Sequence, residues 1–238
     1  MATLTVFVPT FNESQNIIGT LENLRISIAS LKSVSVEILL IDDASVDDTV
    51  NLVRKWSERN DNIYLRIFVK DENSGLGNSY RLAIMESKSE FFIYVPGDNV
   101  ITIEDLVKIF SKIGFTDIIV PHFGNLDQRS FLRLTISAFF TKLMSFFSGV
   151  KLPYFNGPVI SRLNLLREYF PNLSGFSSQA EYLCRSIAAG ASYETVLISN
   201  VERENGDSKA ITPKNIILAA YCFIRVFTYC RLLPILRR

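Results

Sequence analysis

The chain has 238 residues, of which 48% are hydrophobic and 21% are charged. This composition excludes a disordered protein and is sufficient for one large domain, or two small ones, with a buried core. The net charge is only +1, and we expect no nucleic-acid partner. Residues 203–238 are nevertheless basic, with seven Lys or Arg and two acidic residues. Their charge favours a phosphate-bearing partner or an anionic membrane surface, and a solvated helix face is the alternative.

The cysteine and histidine content gives no zinc-ligand cluster. Cys184, Cys222 and Cys230 form no CxxC pair, and His122 is the only histidine. No signal-peptide pattern is present at the start of the chain, because residues 4–8 are already typical of a strand. We therefore expect reduced cysteines and a protein on the cytoplasmic side of a membrane.

Apolar runs and helical periodicity alternate over the first 120 residues. The runs predict strands over 4–9, 36–41, 63–69, 91–95 and 117–120. A capping pattern, S/T-x-x-D, at Thr102 predicts the start of the helix after the fourth strand. This alternation predicts right-handed βαβ units and an α/β fold with a mainly parallel sheet covered on both faces.

The second half of the chain is more apolar. Residues 131–155 are rich in Phe, Leu and Ser, which indicates either a pair of core helices or a surface that binds lipid. Further on, the pattern predicts a turn into a strand over 156–161, a helix over 177–189 and a last strand over 193–201.

The final segment, residues 215–236, is strongly apolar but contains Arg225 and Arg231. Each arginine would cost about 2.5–3.5 kcal/mol inside a bilayer, so we do not expect a spanning helix. We expect instead an amphipathic helix lying on the membrane, with its arginines reaching towards headgroups. The alternative is a terminal helix docked on the core of the protein.

Polar residues follow four of the predicted strands. They are Pro9 to Glu13, Asp42-Asp43, Asn73 to Asn78, and Gly97-Asp98-Asn99. Because parallel strands end at the same edge of a sheet, we expect these residues to form one site. The Gly75-x-Gly77 loop is not a dinucleotide fingerprint, since Tyr80 occupies the place of the third glycine.

In this order and spacing, the motifs resemble those of the inverting glycosyltransferases of family 2, which have the GT-A fold. The resemblance rests on residues 8–13, on 41–49, on Asn73-x-Gly75-x-Gly77 and on Gly97-Asp98. A later motif, Arg203-x-x-Gly206-x-Ser208-Lys209, is similar to the closing motif of the dolichol-phosphate mannose synthase branch and its bacterial polyprenyl-phosphate relatives.

The resemblance implies a Rossmann-like, mainly parallel central sheet flanked by helices. It implies one domain over residues 1–210, with a nucleotide-sugar half at 1–128 and an acceptor half at 129–210. A membrane-interface helix would follow over 211–238.

The same resemblance implies a set of donor-binding residues. Asp43 would accept hydrogen bonds from the nucleobase, and Glu13 would lie near the ribose or base, since a fixed carboxylate matches N–H and O–H donors. For Asp42 we favour a simpler role as the cap of the following helix. The full set is Pro9, Phe11, Glu13, Asp43, Ser45, Asn73, Gly75, Arg129, Ser208 and Lys209.

One motif departs from the family pattern. The usual DxD reads Pro96-Gly97-Asp98 here, so a single carboxylate remains. We expect Asp98 to hold Mg²⁺ or Mn²⁺ together with donor phosphates and water. Alternatively, Arg129, Arg203 or Lys209 would stabilise the leaving diphosphate, or the protein would bind its ligand without transferring a sugar.

On the acceptor side, Glu181 resembles the acidic residue of the family, which would serve as general base for a hydroxyl or orient an ionised lipid phosphate. An exposed helix glutamate is the alternative. The implied catalytic residues are thus Asp98, Glu181 and Arg203. The implied reaction moves one sugar from a nucleotide-sugar donor to a polyprenyl phosphate at a membrane surface. Alternatives are a hydroxyl of a cell-surface glycan or lipid-linked saccharide, and a non-catalytic nucleotide-sugar or membrane-binding module.

Overall fold

The computed structural model describes residues 2–123, 131–172, 177–199 and 213–233. The strands in these ranges are β1 Ala2–Thr10, β2 Val34–Asp42, β3 Leu65–Val69, β4 Phe91–Tyr94, β5 Ile118–His122, β6 Ile160–Arg162 and β7 Tyr193–Leu197. The helices are α1 Ile17–Ile28, α2 Thr49–Arg59, α3 Leu76–Glu86, α4 Ile103–Phe110, α5 Phe131–Ser148, α6 Leu163–Tyr169, α7 Ser178–Ala188 and α8 Pro213–Phe227, and a π-helical segment, Thr228–Leu232, continues α8.

The strands form one sheet in the order β3-β2-β1-β4-β6-β5-β7. Strands β1 to β4 pair in parallel, as do β5 and β7, whereas β6 is antiparallel to both of its neighbours. The predicted mainly parallel α/β sheet is therefore confirmed. Because β6 runs the other way, it begins at the edge where β4 and β5 end.

Helices cover both faces of the sheet because successive strand residues point to opposite sides. On β1, Phe7 faces the layer that contains α3 and α5 to α8. Val6 and Val8 face the layer that contains α1, α2 and α4. Helix α4 begins as predicted, since Oγ1 of Thr102 accepts a hydrogen bond from the Asp105 amide.

Residues 131–155 do not form two helices. They form α5 and a loop, and the side chain of Met144 is fully buried while Phe139 and Phe146 are exposed. Helix α6 follows β6 directly and was not predicted, because its seven residues are too few to show a clear helical period.

Helix α8 docks on the core of the protein. Cys222 and Val226 are fully buried in the layer that contains α5 and α7. The expectation that the arginines reach towards headgroups is wrong for Arg225, which forms an ion pair with Glu181 of α7. A buried carboxylate requires such a partner. Arg231 is exposed, with its guanidinium close to Gly149, and for this residue the expectation stays a prediction. Within the described ranges, no helix combines the length and the apolar character needed to cross a membrane.

Candidate active site

Four strand ends meet at one rim of the sheet, because β3, β2, β1 and β4 are direct neighbours. Thr10 at the end of β1 is in register with Asp42 at the end of β2. The backbone pairing continues past both strands, since the Asp43 amide donates to the Thr10 carbonyl at 2.8 Å. The loop residues are thus positioned by the sheet itself.

The loops after β1 and β2 are tied to each other by hydrogen bonds. The Asn12 amide donates to Oγ of Ser45 at 2.8 Å, and the Val46 amide donates to Oδ1 of Asn12 at 2.9 Å. The Glu13 amide donates to Oγ1 of Thr49 at 2.9 Å. These reciprocal bonds hold Glu13, an expected donor-binding residue, in a fixed place beside the β2 loop.

Asp42 does not cap the following helix, which begins seven residues later at Thr49. Its carboxylate is fully buried and accepts hydrogen bonds from the Ser45 amide at 2.8 Å and from Oγ1 of Thr10 at 3.1 Å. Asp42 therefore closes the turn after β2. Its hydrogen bond with the Ser45 hydroxyl also commits that hydroxyl to the turn, while the expected contact of Ser45 with a substrate stays a prediction.

Asp43 organises the loop before α3. Its carboxylate accepts hydrogen bonds from the amides of Ser74 at 3.0 Å and Gly75 at 2.8 Å, and it forms an ion pair with Lys70. A carboxylate has about four lone-pair sites, so these three donors leave about one for a ligand. Sequence reasoning missed Lys70, although its position directly after β3 could have indicated a rim residue.

Gly97 allows the end of β4 to approach the end of β1. A Cβ atom at this position would lie 3.0 Å from both the Pro9 carbonyl oxygen and Cγ2 of Thr10. A side chain would push the two strand ends apart, because one of these contacts is with backbone. The glycine thereby places Asp98, the next residue, beside the loop that follows β1.

Tyr94 at the end of β4 feels the charges of two residues that are expected to bind the donor or its cation. Burial raises the pKa of its phenol, and the charge of Asp98, then Tyr154, then Glu13 raises it further. Asp98 and Glu13 are therefore close enough to interact with the same phenol. Two carboxylates on one side of the rim suit a ligand that brings hydroxyl groups or a cation.

Asn99 points away from the rim, towards α1. Its amide donates to Oγ1 of Thr20 at 3.0 Å, and its Oδ1 accepts from Nδ2 of Asn23 at 3.0 Å. Asn99, Asn12 and Ala44 all have positive φ angles, of 59°, 56° and 63°. Asparagine tolerates such angles, whereas alanine adopts them only at a cost of about 1–2 kcal/mol, so the strained residue is Ala44 in the loop after β2.

The loop before β6 lies against the end of β5, since a Cβ atom at Gly157 would be 2.7 Å from the Pro121 carbonyl oxygen. Nε2 of Gln179 donates to the carbonyls of Phe155 at 3.1 Å and Gly157 at 2.7 Å, which fixes the loop to the start of α7. Tyr154 in this loop packs on Phe123 with 5.0 Å between ring centroids. No sequence pattern had indicated Gln179.

The side chains at the rim suit a metal ion only if a bound ligand supplies further oxygen atoms. Among the residues that the structure describes, no group of three or more His, Cys, Asp or Glu side chains could hold a metal ion. Mg²⁺ is often held by one or two carboxylates together with substrate phosphates. Asp98 fits such a site if the cation arrives with the diphosphate of the donor.

Glu181 lies within the contact between α7 and α8. Its side chain has 0% exposure and forms ion pairs with Arg185 of its own helix and Arg225 of α8. The alternative of an exposed helix glutamate is wrong. The expected contact with an acceptor is untested, but it would require the two arginines to move away.

The remaining expected residues divide into two groups. Pro9 and Phe11 are partly buried at the rim, and Asn73 is exposed. The other four lie outside the described residues, and they are Arg129, Arg203, Ser208 and Lys209.

A comparison with protein families matches residues 5–169 to glycosyl transferase family 2. The chain belongs to this family. The matched region contains β1 to β6 and all four rim loops. The family assignment confirms the expectation of a glycosyltransferase, whereas the dolichol-phosphate branch stays a prediction.

Two curated relatives differ in the acceptors that their names indicate. The dolichyl-phosphate β-glucosyltransferase of Dictyostelium discoideum is 29% identical over 146 residues, which cover 55% of this chain and 44% of that protein. The poly-β-1,6-N-acetyl-D-glucosamine synthase of Staphylococcus aureus is 30% identical over 98 residues, 41% of this chain and 22% of that protein. The chain thus matches less than half the length of either relative.

Solved structures confirm the GT-A fold. S. aureus TarS 1-349 in complex with UDP-GlcNAc has a TM-score of 0.68 and 18% identity, covering 96% of this chain and 67% of that one. The mannosyltransferase PcManGT of Pyrobaculum calidifontis, in complex with GDP-Man and Mn²⁺, has a TM-score of 0.64 and 17% identity, covering 95% and 72%. Glucosyl-3-phosphoglycerate synthase of Mycobacterium tuberculosis, with Mn²⁺, UDP and glucosyl-3-phosphoglycerate, has a TM-score of 0.67 and 13% identity, covering 96% and 80%.

Proposed function

We propose that the protein transfers one sugar from a nucleotide-diphosphate sugar to a polyprenyl phosphate, with inversion at the anomeric carbon. The observation that carries the donor part is the convergence of four family motifs on one rim of the sheet. In an inverting transfer the acceptor oxygen attacks opposite the diphosphate, so the main tasks of the protein are alignment and stabilisation of the leaving group.

The nucleoside would bind over the loops after β1 and β2. Asp43 keeps about one lone-pair site for an N–H of the base, and its bonds to Ser74 and Gly75 fix the direction of that site. Glu13 would accept from the ribose. Solved neighbours that contain UDP-GlcNAc and GDP-Man support a nucleotide-sugar donor of this class.

Asp98 would hold a divalent cation that also binds the donor diphosphate. When bound, such a cation neutralises charge on the phosphate oxygens. PcManGT and the M. tuberculosis synthase contain Mn²⁺, which supports use of a metal in proteins with this fold. Arg129, Arg203 and Lys209 are proposed as further cations near the leaving group.

The burial of Glu181 favours an acceptor that needs no general base. Because its carboxylate is covered by two arginines, it cannot reach a hydroxyl in this arrangement. A phosphate monoester is already ionised near neutral pH. Similarity to the dolichyl-phosphate glucosyltransferase supports the same acceptor class, and the exposed apolar residues of α5 and α8 suit a protein that works at a membrane surface.

A second candidate acceptor is a sugar hydroxyl of a cell-surface glycan. It is favoured by the similarity to the poly-β-1,6-N-acetyl-D-glucosamine synthase. The identity to that protein is 30% over 98 residues, slightly higher than the 29% identity to the dolichyl-phosphate β-glucosyltransferase.

A transfer assay separates these acceptors. The purified chain is incubated with radiolabelled UDP-glucose, UDP-N-acetylglucosamine or GDP-mannose and with one of three acceptors, namely a polyprenyl phosphate, the matching polyprenol or a glucosamine oligosaccharide. We expect label in the organic phase only with the polyprenyl phosphate. Label on the oligosaccharide alone would establish the second candidate. Nucleotide binding without transfer to any acceptor would contradict the proposed reaction.

A further inference from the structure

The exposed apolar side chains of the protein are concentrated on two adjacent helices. Of sixteen exposed large hydrophobic side chains in the described residues, eight belong to α5, α8 and the π-helical segment. The most exposed are Phe139 at 63% and Phe146 at 75% on α5, and Ile224 at 62% on α8. Scattered exposed hydrophobics are ordinary, but a cluster on two helices indicates a binding surface. We call this cluster the α5–α8 face.

The two helices that carry this face pack against each other. Their inner sides are joined by aromatic contacts, with ring centroids of Phe223 lying 5.6 Å from both Phe140 and Phe147. On the outer side, Phe139 and Phe146 are seven residues apart and share one side of α5. Tyr221 and Ile224 form the corresponding outer stripe of α8.

The charge of the face is of one sign. Neither α5 nor α8 nor the π-helical segment contains Asp or Glu. Lys142 is exposed three residues after Phe139 and four before Phe146, so it lies on the same side of α5. Exposed Lys151 follows shortly after the end of the helix. Arg225 of α8 contributes less, because it is paired with Glu181, whereas Arg231 of the π-helical segment is exposed.

We propose that the α5–α8 face docks on an anionic lipid surface. The aromatic side chains enter the boundary between headgroups and acyl chains, and Lys142 and Lys151 lie at the level of the lipid phosphates. The proposal rests on the proposed function and names the surface that would face the membrane. This surface is formed by α5 together with α8, and not by the arginines of the C-terminal segment alone.

Lipid is a better occupant than a second copy of the chain. A two-fold symmetric dimer would place the same patch against itself, which brings Lys142 towards its own symmetry mate with no acid on either helix to compensate. Lipid phosphates supply the missing negative charge at the same depth as the lysines.

Vesicle co-sedimentation of the full chain tests the proposal without any substrate. Vesicles are made of phosphatidylcholine alone or mixed with phosphatidylglycerol. We expect binding that is strongest on the anionic vesicles, and the double variant Phe139→Ser, Phe146→Ser should bind at least about tenfold more weakly. Phe115→Ser is the matched control, since Phe115 is 73% exposed but lies outside the face. Lys142→Glu should weaken binding to anionic vesicles only.

Three outcomes would overturn the proposal. The first is equal vesicle binding by the double variant and the wild type, and the second is an equal loss of binding in the Phe115→Ser control. The third is that the wild type does not bind vesicles but forms a concentration-dependent dimer in analytical ultracentrifugation, while the double variant stays monomeric. Melting temperatures of all variants verify folding. If serine disrupts α5, Phe139→Tyr replaces the double variant in the binding test. Because no donor or acceptor is present, a failed transfer assay and a failed docking proposal give separate results.

Discussion

The donor rim and the α7–α8 contact use carboxylates in opposite ways. At the rim, Asp43 bonds mainly to backbone amides that the sheet has already brought near, and it keeps capacity for a ligand. In the α7–α8 contact, Glu181 bonds to two guanidinium groups and has no exposed surface. The backbone partners of Asp43 fix it in the place where we propose that it recognises the nucleobase, whereas the two arginine partners of Glu181 join α7 to α8.

The largest effect should come from breaking the α7–α8 contact. Glu181→Ala leaves two partly buried guanidinium groups without their carboxylate. We expect a loss of about 3 kcal/mol in the free energy of unfolding, the lower end of the range for a broken buried pair, because both arginines are partly exposed to solvent. Urea unfolding measures this loss, with Glu58→Ala on an exposed side of α2 as control. If Glu181→Gln instead lowered kcat with stability unchanged, Glu181 would be the general base that the family resemblance implies.

At the rim, Asp43→Ala should weaken binding of nucleoside diphosphates by about 100-fold. It removes a proposed acceptor for the base and leaves Lys70 without its ion-pair partner, and hydrogen bonds to charged groups contribute about 1.5–3 kcal/mol each. Calorimetric titration with UDP, GDP and dTDP gives the affinities. Asp48→Ala, a change at an exposed aspartate of the same loop, should leave them unaltered. Retained affinity in Asp43→Ala would remove Asp43 from base recognition.

A smaller effect on nucleotide affinity, which depends on the presence of a divalent cation, is expected at Asp98. Asp98→Asn keeps the shape of the side chain but removes a charge, so the affinity for a nucleoside diphosphate in Mn²⁺ should fall about tenfold, while the affinity in EDTA should change little. The difference between the two titrations gives the part of the affinity that depends on the cation. Equal losses in Mn²⁺ and EDTA would mean that Asp98 does not act through a metal.

The smallest effect concerns Asp117, which joins β5 to the turn before β7. Hydrogen bonds from the Ser192 hydroxyl and amide lower the pKa of Asp117, and Arg162 adds to this effect. A lowered pKa in the folded protein stabilises it above the unfolded value of about 3.9, and this contribution fades as the pH falls through the folded value.

Because Asp117 is partly exposed, Asp117→Asn should cost less than about 1 kcal/mol at pH 7. In urea unfolding, the difference from wild type should shrink below about pH 4. If the difference in unfolding free energy between Asp117→Asn and wild type stays constant with pH, the loss of stability comes from lost packing and not from the charge of Asp117.

The rim could be predicted from the sequence because its geometry follows from strand order. Apolar runs that end in polar residues predicted which loops meet, and Asp43, Glu13 and Asp98 lie there. Asp42 was assigned the wrong partner because its bond goes three residues forward to Ser45, inside the turn, and not to the helix start at Thr49. Lys70 was missed because a lysine after a strand is usually only solvated.

The α7–α8 contact could not be predicted, because its partners lie 44 residues apart and no local pattern connects them. The apolar character of α8 and its arginines fitted a membrane surface equally well. The structure shows that Arg225 is directed inwards, to Glu181, while Tyr221 and Ile224 are directed outwards, which no helical wheel of α8 alone could decide. A tertiary partner, Glu181, determines the orientation.

The reversed direction of β6 determines where the preceding connection meets the sheet. Since β6 begins at the edge where its neighbours end, the connection over residues 149–159 must reach that edge. Gln179, itself buried, fixes the connection by donating to two of its carbonyls. Because Phe155 belongs to the core, the connection cannot be exchanged freely. Its exposed positions, Pro153 and Asn156, are the places where substitutions would change the surface of this connection while the core and the strand pairing remain intact.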